Sequence, residues 1–120
     1  MSQSETLRLF VYGSLKRGEA NHGVLAGARF ISDVRTRSAF ALAEIAGYPA
    51  LVPGDRAIDG ELFELPCARL RELDEFEGSA YVRREIALEG GGVAIAYVAR
   101  DASVGVPLAV SKWGAHGRLC

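Results

Sequence analysis

Along this chain apolar positions recur mostly at every second residue, and in one stretch at helical spacing. Leu7-Arg8-Leu9-Phe10-Val11-Tyr12 is rich in β-formers and runs into Gly13-Ser14, which predicts a strand entering a turn. Phe10 to Tyr12 is an unbroken apolar run, as in a central strand covered on both faces. Gly13 to Gly27 carries four glycines and mixed polarity, and reads as a loop with one short helix near Asn21 to Leu25. From Ala28 to Leu42 a loose alternation that includes Phe30, Val34, Phe40 and Leu42 predicts one or two half-buried strands. Ile45 to Gly54 is punctuated by Gly and Pro, and reads as a short extended piece between turns. Ile58 to Leu65 alternates and ends at Pro66, a residue suited to a helix start because its missing N–H costs nothing there. Cys67 to Glu77 has helical spacing and stops at Gly78. Tyr81 to Leu88 and Val93 to Ala99 are strands joined by the turn residues Glu89-Gly90-Gly91-Gly92. From Asp101 the tail reads as irregular. This order predicts an α+β domain with a mostly antiparallel sheet, curled or closed into a small barrel.

A length of 120 residues suits one domain over residues 1–120, its pattern weakest over 1–6 and 101–120. With 49% hydrophobic residues the chain is not disordered. A net charge of −1 offers no basic groove, so no nucleic-acid partner is expected. No apolar run approaches the roughly 18 residues of a membrane span. Met1 to Thr6 is polar and lacks the apolar region of a signal peptide, so the expected location is cytoplasmic, with no membrane partner. Two cysteines and two histidines are too few for a disulfide framework or a Cys/His metal site. Cys67 and Cys120 read as free thiols, and neither His22 nor His116 has the setting of a Cys–His pair. No metal and no organic cofactor are expected.

The helix is where pattern becomes chemistry. At about 100° per residue, Leu70, Leu73 and Phe76 form an apolar stripe, with Arg71 and Glu75 opposite and Glu72 at the margin. Glu77 falls within the stripe, and Asp74 lies at its edge. Burial there favours the neutral carboxyl, and the helix C-terminus and the charges of Asp74 and Glu75 push the same way. The expected result is a carboxylate more basic than free Glu at about 4.3, as a general base working near neutrality requires. The alternatives are that Glu77 frays out into water or is held by Arg83 or Arg84.

Tyr12-Gly13-Ser14-Leu15 follows the first strand directly. Such a turn can point successive N–H groups outward as an anion-binding nest, suited to a carboxylate or a developing oxyanion. An ordinary β-turn explains the same residues. The segment is neither a phosphate loop nor G-x-G-x-x-G, and Ser14 lacks the surroundings of a hydrolase nucleophile. Tyr48, Tyr81 and Tyr97 offer hydroxyls to a pocket or serve as strand packing. Arg83-Arg84 reads as a surface pair and Trp113 as a core residue of the tail.

Taken together, these segments carry a resemblance. Val11-Tyr12-Gly13-Ser14-Leu15, Gly47-Tyr48-Pro49-Ala50-Leu51-Val52-Pro53-Gly54, Gly60-Glu61-Leu62-Phe63, Leu73-Asp74-Glu75-Phe76-Glu77-Gly78, Tyr81 and Arg83 stand in the order found in the γ-glutamylcyclotransferase-like family, which the chain resembles from Leu9 to about Val98. That family includes γ-glutamylamine and antibiotic-biosynthesis cyclotransferases. The Y-G-S-L and L-D-x-x-E-G motifs are specific in combination, and past Ala99 the similarity is slight. The resemblance implies a small mixed barrel with flanking short helices. It implies that Glu77 is the general acid/base and that the Tyr12 to Leu15 loop, with Tyr81 nearby, binds the γ-glutamyl group of a small-molecule substrate. Glu77 would take a proton from the substrate's α-amine, the amine would attack its own γ-carbonyl, and Glu77 would return the proton to the leaving amine. The product is 5-oxoproline, placing the reaction among the transferases or lyases. A module of the same fold that only binds a carboxylate-bearing metabolite is the competing reading. The leaving amine and the oligomeric state stay open.

Overall fold

The computed structural model of the chain describes residues 5–113. It contains β1 (Thr6–Val11), β2 (Arg29–Arg35), β3 (Phe40–Ile45), β4 (Tyr48–Pro53), β5 (Asp59–Pro66), α1 (Leu70–Glu77), β6 (Tyr81–Ala87), β7 (Val93–Ala99) and β8 (Val106–Leu108). Single 3-10 turns precede β2 at His22–Leu25 and α1 at Cys67–Arg69. The expected helix over Cys67 to Glu77 therefore begins as a 3-10 turn, with the extended Pro66 before it. No helix among the described residues is long and apolar enough to cross a membrane.

The strands form one mixed sheet in the order β2-β5-β1-β7-β4-β3-β8, with β6 on the other edge of β7. Most pairs are antiparallel, and only β1–β7 and β4–β7 run parallel. The edge of β7 away from β6 is thus shared, by Leu9 against Ile95 and by Leu51 against Val98. The sheet curls until Thr36 bridges Leu88, where Arg37 N–H donates to the Ala87 carbonyl and Glu89 N–H to that of Arg35. The ladder goes no further, so of the two expected forms the curled, unclosed sheet is the one observed.

Both faces are buried, because the period of two sends neighbours to opposite sides. Phe10 and Tyr12 join Leu42, Leu51, Ile58 and Leu62 inside the curl. Leu9 and Val11 join Leu25, Phe63, Leu65 and Tyr97 on the other face, which Leu73 of α1 covers. β1 is therefore the doubly covered central strand its unbroken apolar run predicts. Gly60 permits this closeness, since a Cβ there would lie 2.5 Å from the Phe10 ring and 2.5 Å from the Val11 carbonyl oxygen.

The structure departs from the sequence pattern at two places. The tail is not wholly irregular, because Val106–Leu108 pairs with Leu42–Glu44 of β3. Three residues, two of them exposed, are too few to show a period. Phe76, expected in the buried stripe, is 41% exposed. It stands at the mouth of the pocket described below, where its ring is open to solvent on one side. Trp113 packs against the core inside the curl, as its core reading expects. Cys120 and His116 lie outside the described residues.

β3 and β4 meet through the two-residue turn Ala46-Gly47, with Ile45 opposite Tyr48. Both turn residues have positive φ, 54° and 86°, so the turn is type I′. Alanine is strained there, and asparagine tolerates the left-handed region. Ala46→Asn is expected to raise stability by about 0.5–1 kcal/mol. Urea unfolding checks this, as a higher midpoint with an unchanged slope; an unmoved or lower midpoint contradicts it.

Candidate active site

A pocket of about 420 Å³ opens where the C-terminal ends of β1 and β7 meet the β3–β4 turn and the end of α1. That size is in the range of small-molecule sites. Its floor is buried, made by Phe10, Val11, Tyr12, Leu15, Pro49 and Tyr97. Its rim is exposed, made by Ala46, Tyr48, Phe76 and Ala80. Gly13, Ser14, Glu77 and Tyr81 line it as well, so every residue singled out for this site faces one cavity.

Glu77 is the only charged side chain lining the pocket among the described residues. It sits half-buried in the last turn of α1, and burial pushes its carboxyl up to about 7. The expected repulsion from Asp74 and Glu75 is not what raises it; burial is the cause. Asp74 is instead neutralised by Arg83, whose Nε lies 2.8 Å from its Oδ1. Arg83 is thus committed to Asp74, and Glu77 faces the cavity. Tyr97 donates its hydroxyl to the same Asp74 oxygen at 2.7 Å, which fixes its ring on the floor.

The other phenols are committed too. Tyr81 donates to the Pro49 carbonyl at 2.9 Å, tying the start of β6 to β4. Burial, with the Glu77 charge adding to it, pushes its hydroxyl up to about 12. Tyr12 donates to the Tyr97 carbonyl at 2.5 Å and accepts from the Leu51 N–H at 2.9 Å. Its hydroxyl bridges β4 and β7 beside the edge of β7 that β1 and β4 share, and burial pushes its pKa well above that of a free phenol. Tyr12 therefore builds the floor through its ring and hydroxyl, and what it offers a ligand is its place at the start of the loop. Tyr48 stands on the rim, 47% exposed.

The loop after β1 turns its carbonyls into the protein. Gly13 accepts from Lys16 N–H at 3.1 Å and Ser14 from Asn21 N–H at 2.9 Å, while the Leu15 carbonyl lies 2.8 Å from His22 Nδ1. Among the described residues nothing accepts from the N–H groups of Gly13, Ser14 or Leu15. No cation lines the pocket among those residues, so these unclaimed amides are the groups there that could meet an anion. Asn21 was not singled out by the sequence, where it served only to start a short helix. A side chain returning to Ser14 across seven residues has no local signature.

Three comparisons bear on this arrangement. A family profile described as gamma-glutamyl cyclotransferase, AIG2-like, matches residues 9–115. A Vibrio cholerae protein bearing the gamma-glutamylcyclotransferase name is 35% identical over 69 residues, 58% of this chain and 60% of that one. The gamma-L-glutamyl-butirosin B gamma-glutamyl cyclotransferase of Niallia circulans is 33% identical over 69 residues, 58% of this chain and 44% of that one. The matched stretch thus spans about half the length of these curated relatives. The solved structure of a mouse AIG2-like protein superposes with a TM-score of 0.75 at 28% identity, covering 94% of this chain and 93% of that one.

Proposed function

The chain belongs to the gamma-glutamyl cyclotransferase, AIG2-like family, and from that membership and the pocket we propose that it converts a γ-glutamyl amide to 5-oxoproline, with Glu77 as general acid and base. The observation that carries the reading is a carboxyl pushed up to about 7 by burial, lining the same cavity as a loop with unclaimed N–H groups. One group takes and gives protons near neutrality, and the other receives negative oxygen.

The reaction needs little else. The α-amine of the γ-glutamyl group, in its neutral form, attacks the γ-carbonyl carbon of its own chain. A C–N bond forms, and the carbonyl electron pair moves to oxygen, where the Gly13 to Leu15 amides receive it. Glu77 takes the proton that the attacking nitrogen sheds. The tetrahedral centre then collapses, the bond to the leaving nitrogen breaks, and Glu77 passes its proton there. Because nucleophile and electrophile belong to one molecule, positioning supplies much of the rate. The pocket tyrosines Tyr12, Tyr81 and Tyr97 supply rigidity, since each hydroxyl is held by a neighbour. The whole chain is read as one such domain. A Glu77 locked by Arg83 or Arg84 would favour the competing binding-only reading, and Arg83 is bound to Asp74 instead.

The test is incubation with a panel of γ-glutamyl amines and γ-glutamyl amino acids, with assay of 5-oxoproline. Ligand-induced thermal stabilisation with no product from any member would replace the enzyme by a binding module.

The rate should depend on pH through Glu77. Only the carboxylate accepts a proton, so the turnover number is expected to rise with pH up to about 7 and to fall about tenfold per unit below it. Initial rates of 5-oxoproline release between pH 5 and 9 check this. A flat acid limb would remove Glu77 from the proton transfer.

A further inference from the structure

Asn21 holds Ser14 by two bonds. Its backbone N–H donates to the Ser14 carbonyl at 2.9 Å, and its side-chain Nδ2 donates to the Ser14 hydroxyl oxygen at 2.9 Å. The next residue continues the brace. The Leu15 carbonyl can only accept, so His22 carries its ring proton on Nδ1 to reach it. The carbonyls of Ser14 and Leu15 are therefore secured from behind by consecutive residues.

The direction of the side-chain bond matters. A serine hydroxyl has one hydrogen and two lone pairs. Because Asn21 donates to the oxygen, the hydrogen is left for another acceptor, and none among the described residues takes it. Ser14 and Asn21 both line the pocket. The free donor thus stands beside the unclaimed N–H groups of the same loop.

We propose that Asn21 is a positioning residue for the cyclisation, setting the Ser14 hydroxyl as a donor that joins the loop amides on a substrate oxygen. This rests on the reading above that the loop receives a γ-glutamyl group. The residue type follows from the chemistry. Aspartate at 21 would accept the hydroxyl hydrogen and withdraw it, and alanine would leave the hydroxyl free to turn.

The test is a double-mutant cycle of Ser14→Ala, Asn21→Ala and the pair together, with urea midpoints recorded alongside. Every variant keeps the backbone bond from residue 21, so the loop retains its main support. Each single change is expected to lower kcat/KM roughly five- to tenfold, the effect of one hydrogen bond. The double variant is expected to be no slower than Ser14→Ala, and Asn21→Ala is expected to lower the urea midpoint less in the Ser14→Ala background, where its hydroxyl partner is already gone. A kinetic loss from Asn21→Ala that persists in the Ser14→Ala background overturns the assignment. If the wild type turned over no γ-glutamyl compound, the activity itself would be refuted. The same cycle would then be read as the affinity for L-glutamate, which carries the ammonium and carboxylates the loop would meet. Equal affinities in all four proteins would overturn the role of Asn21, and a loss from Asn21→Ala confined to the Ser14 background would uphold it.

Discussion

Replacing Glu77 by glutamine is expected to slow 5-oxoproline release by roughly 10²–10⁴-fold, the contribution of one positioned acid-base group. The amide keeps the size and polarity of the side chain and loses only its proton chemistry. A variant that releases product at the wild-type rate would end the assignment. The same substitution should raise stability in alkaline solution, and the sign follows from the burial. The folded-state carboxyl titrates at about 7, against 4.5 when unperturbed. Between these values the folded protein binds the extra proton, so raising the pH removes a proton the folded state favours. Wild-type stability therefore falls as pH rises through this window, by about 1–2 kcal/mol once partial solvent access is allowed for. The glutamine amide has nothing to titrate. Thermal melts should show the variant ahead at pH 8 and level with the wild type near pH 4. A gain in stability at the cost of activity is what a group held in an unfavourable setting for function would produce.

Gly60→Ala is expected to have the largest effect on folding. The new methyl would lie 2.5 Å from the Phe10 ring and 2.5 Å from the Val11 carbonyl oxygen. A flexible side chain could give way, but a carbonyl in the central strand cannot move without breaking its pairing with β5. The cost is roughly 3 kcal/mol or more, a large share of the 5–15 kcal/mol that holds a typical domain together. Denaturant titration of the purified variant reads it directly, and a shift under 1 kcal/mol would mean that β1 and β5 separate more easily than their packing implies.

Much of this was legible in the residue pattern. Alternation marked β2 and β5, an unbroken run of β-formers marked β1, the glycine turn marked the β6–β7 hairpin, and helical spacing placed Glu77 on an apolar stripe. The same spacing misplaced Phe76, because periodicity gives the direction of a side chain and not the depth of cover above it. Leu73 is fully buried on that stripe, while Phe76, one turn later, is 41% exposed at the pocket rim. The parallel contacts of β7 were not legible, since they join residues more than 40 positions apart. Asn21 and the commitment of Tyr12 were hidden for the same reason, both being set by tertiary hydrogen bonds. Glycine gave mixed guidance. It marked the turn after β1 and the stop of α1, but the demand on Gly60 comes from the neighbouring strand.

The shared edge of β7 also governs when the site comes into being during synthesis. The floor needs Tyr97, and β1 and β4 are both drawn to β7 along that edge. A growing chain that has not reached residue 97 carries Glu77 in a short helix without the Tyr97 surface on which Leu73 packs. Its carboxyl is then in water, with the acidity of any free glutamate. Contacts between such distant parts of a chain form slowly. On the proposed function, the nascent protein is accordingly silent until its seventh strand docks, and turnover in a lysate would count only the molecules that have finished folding.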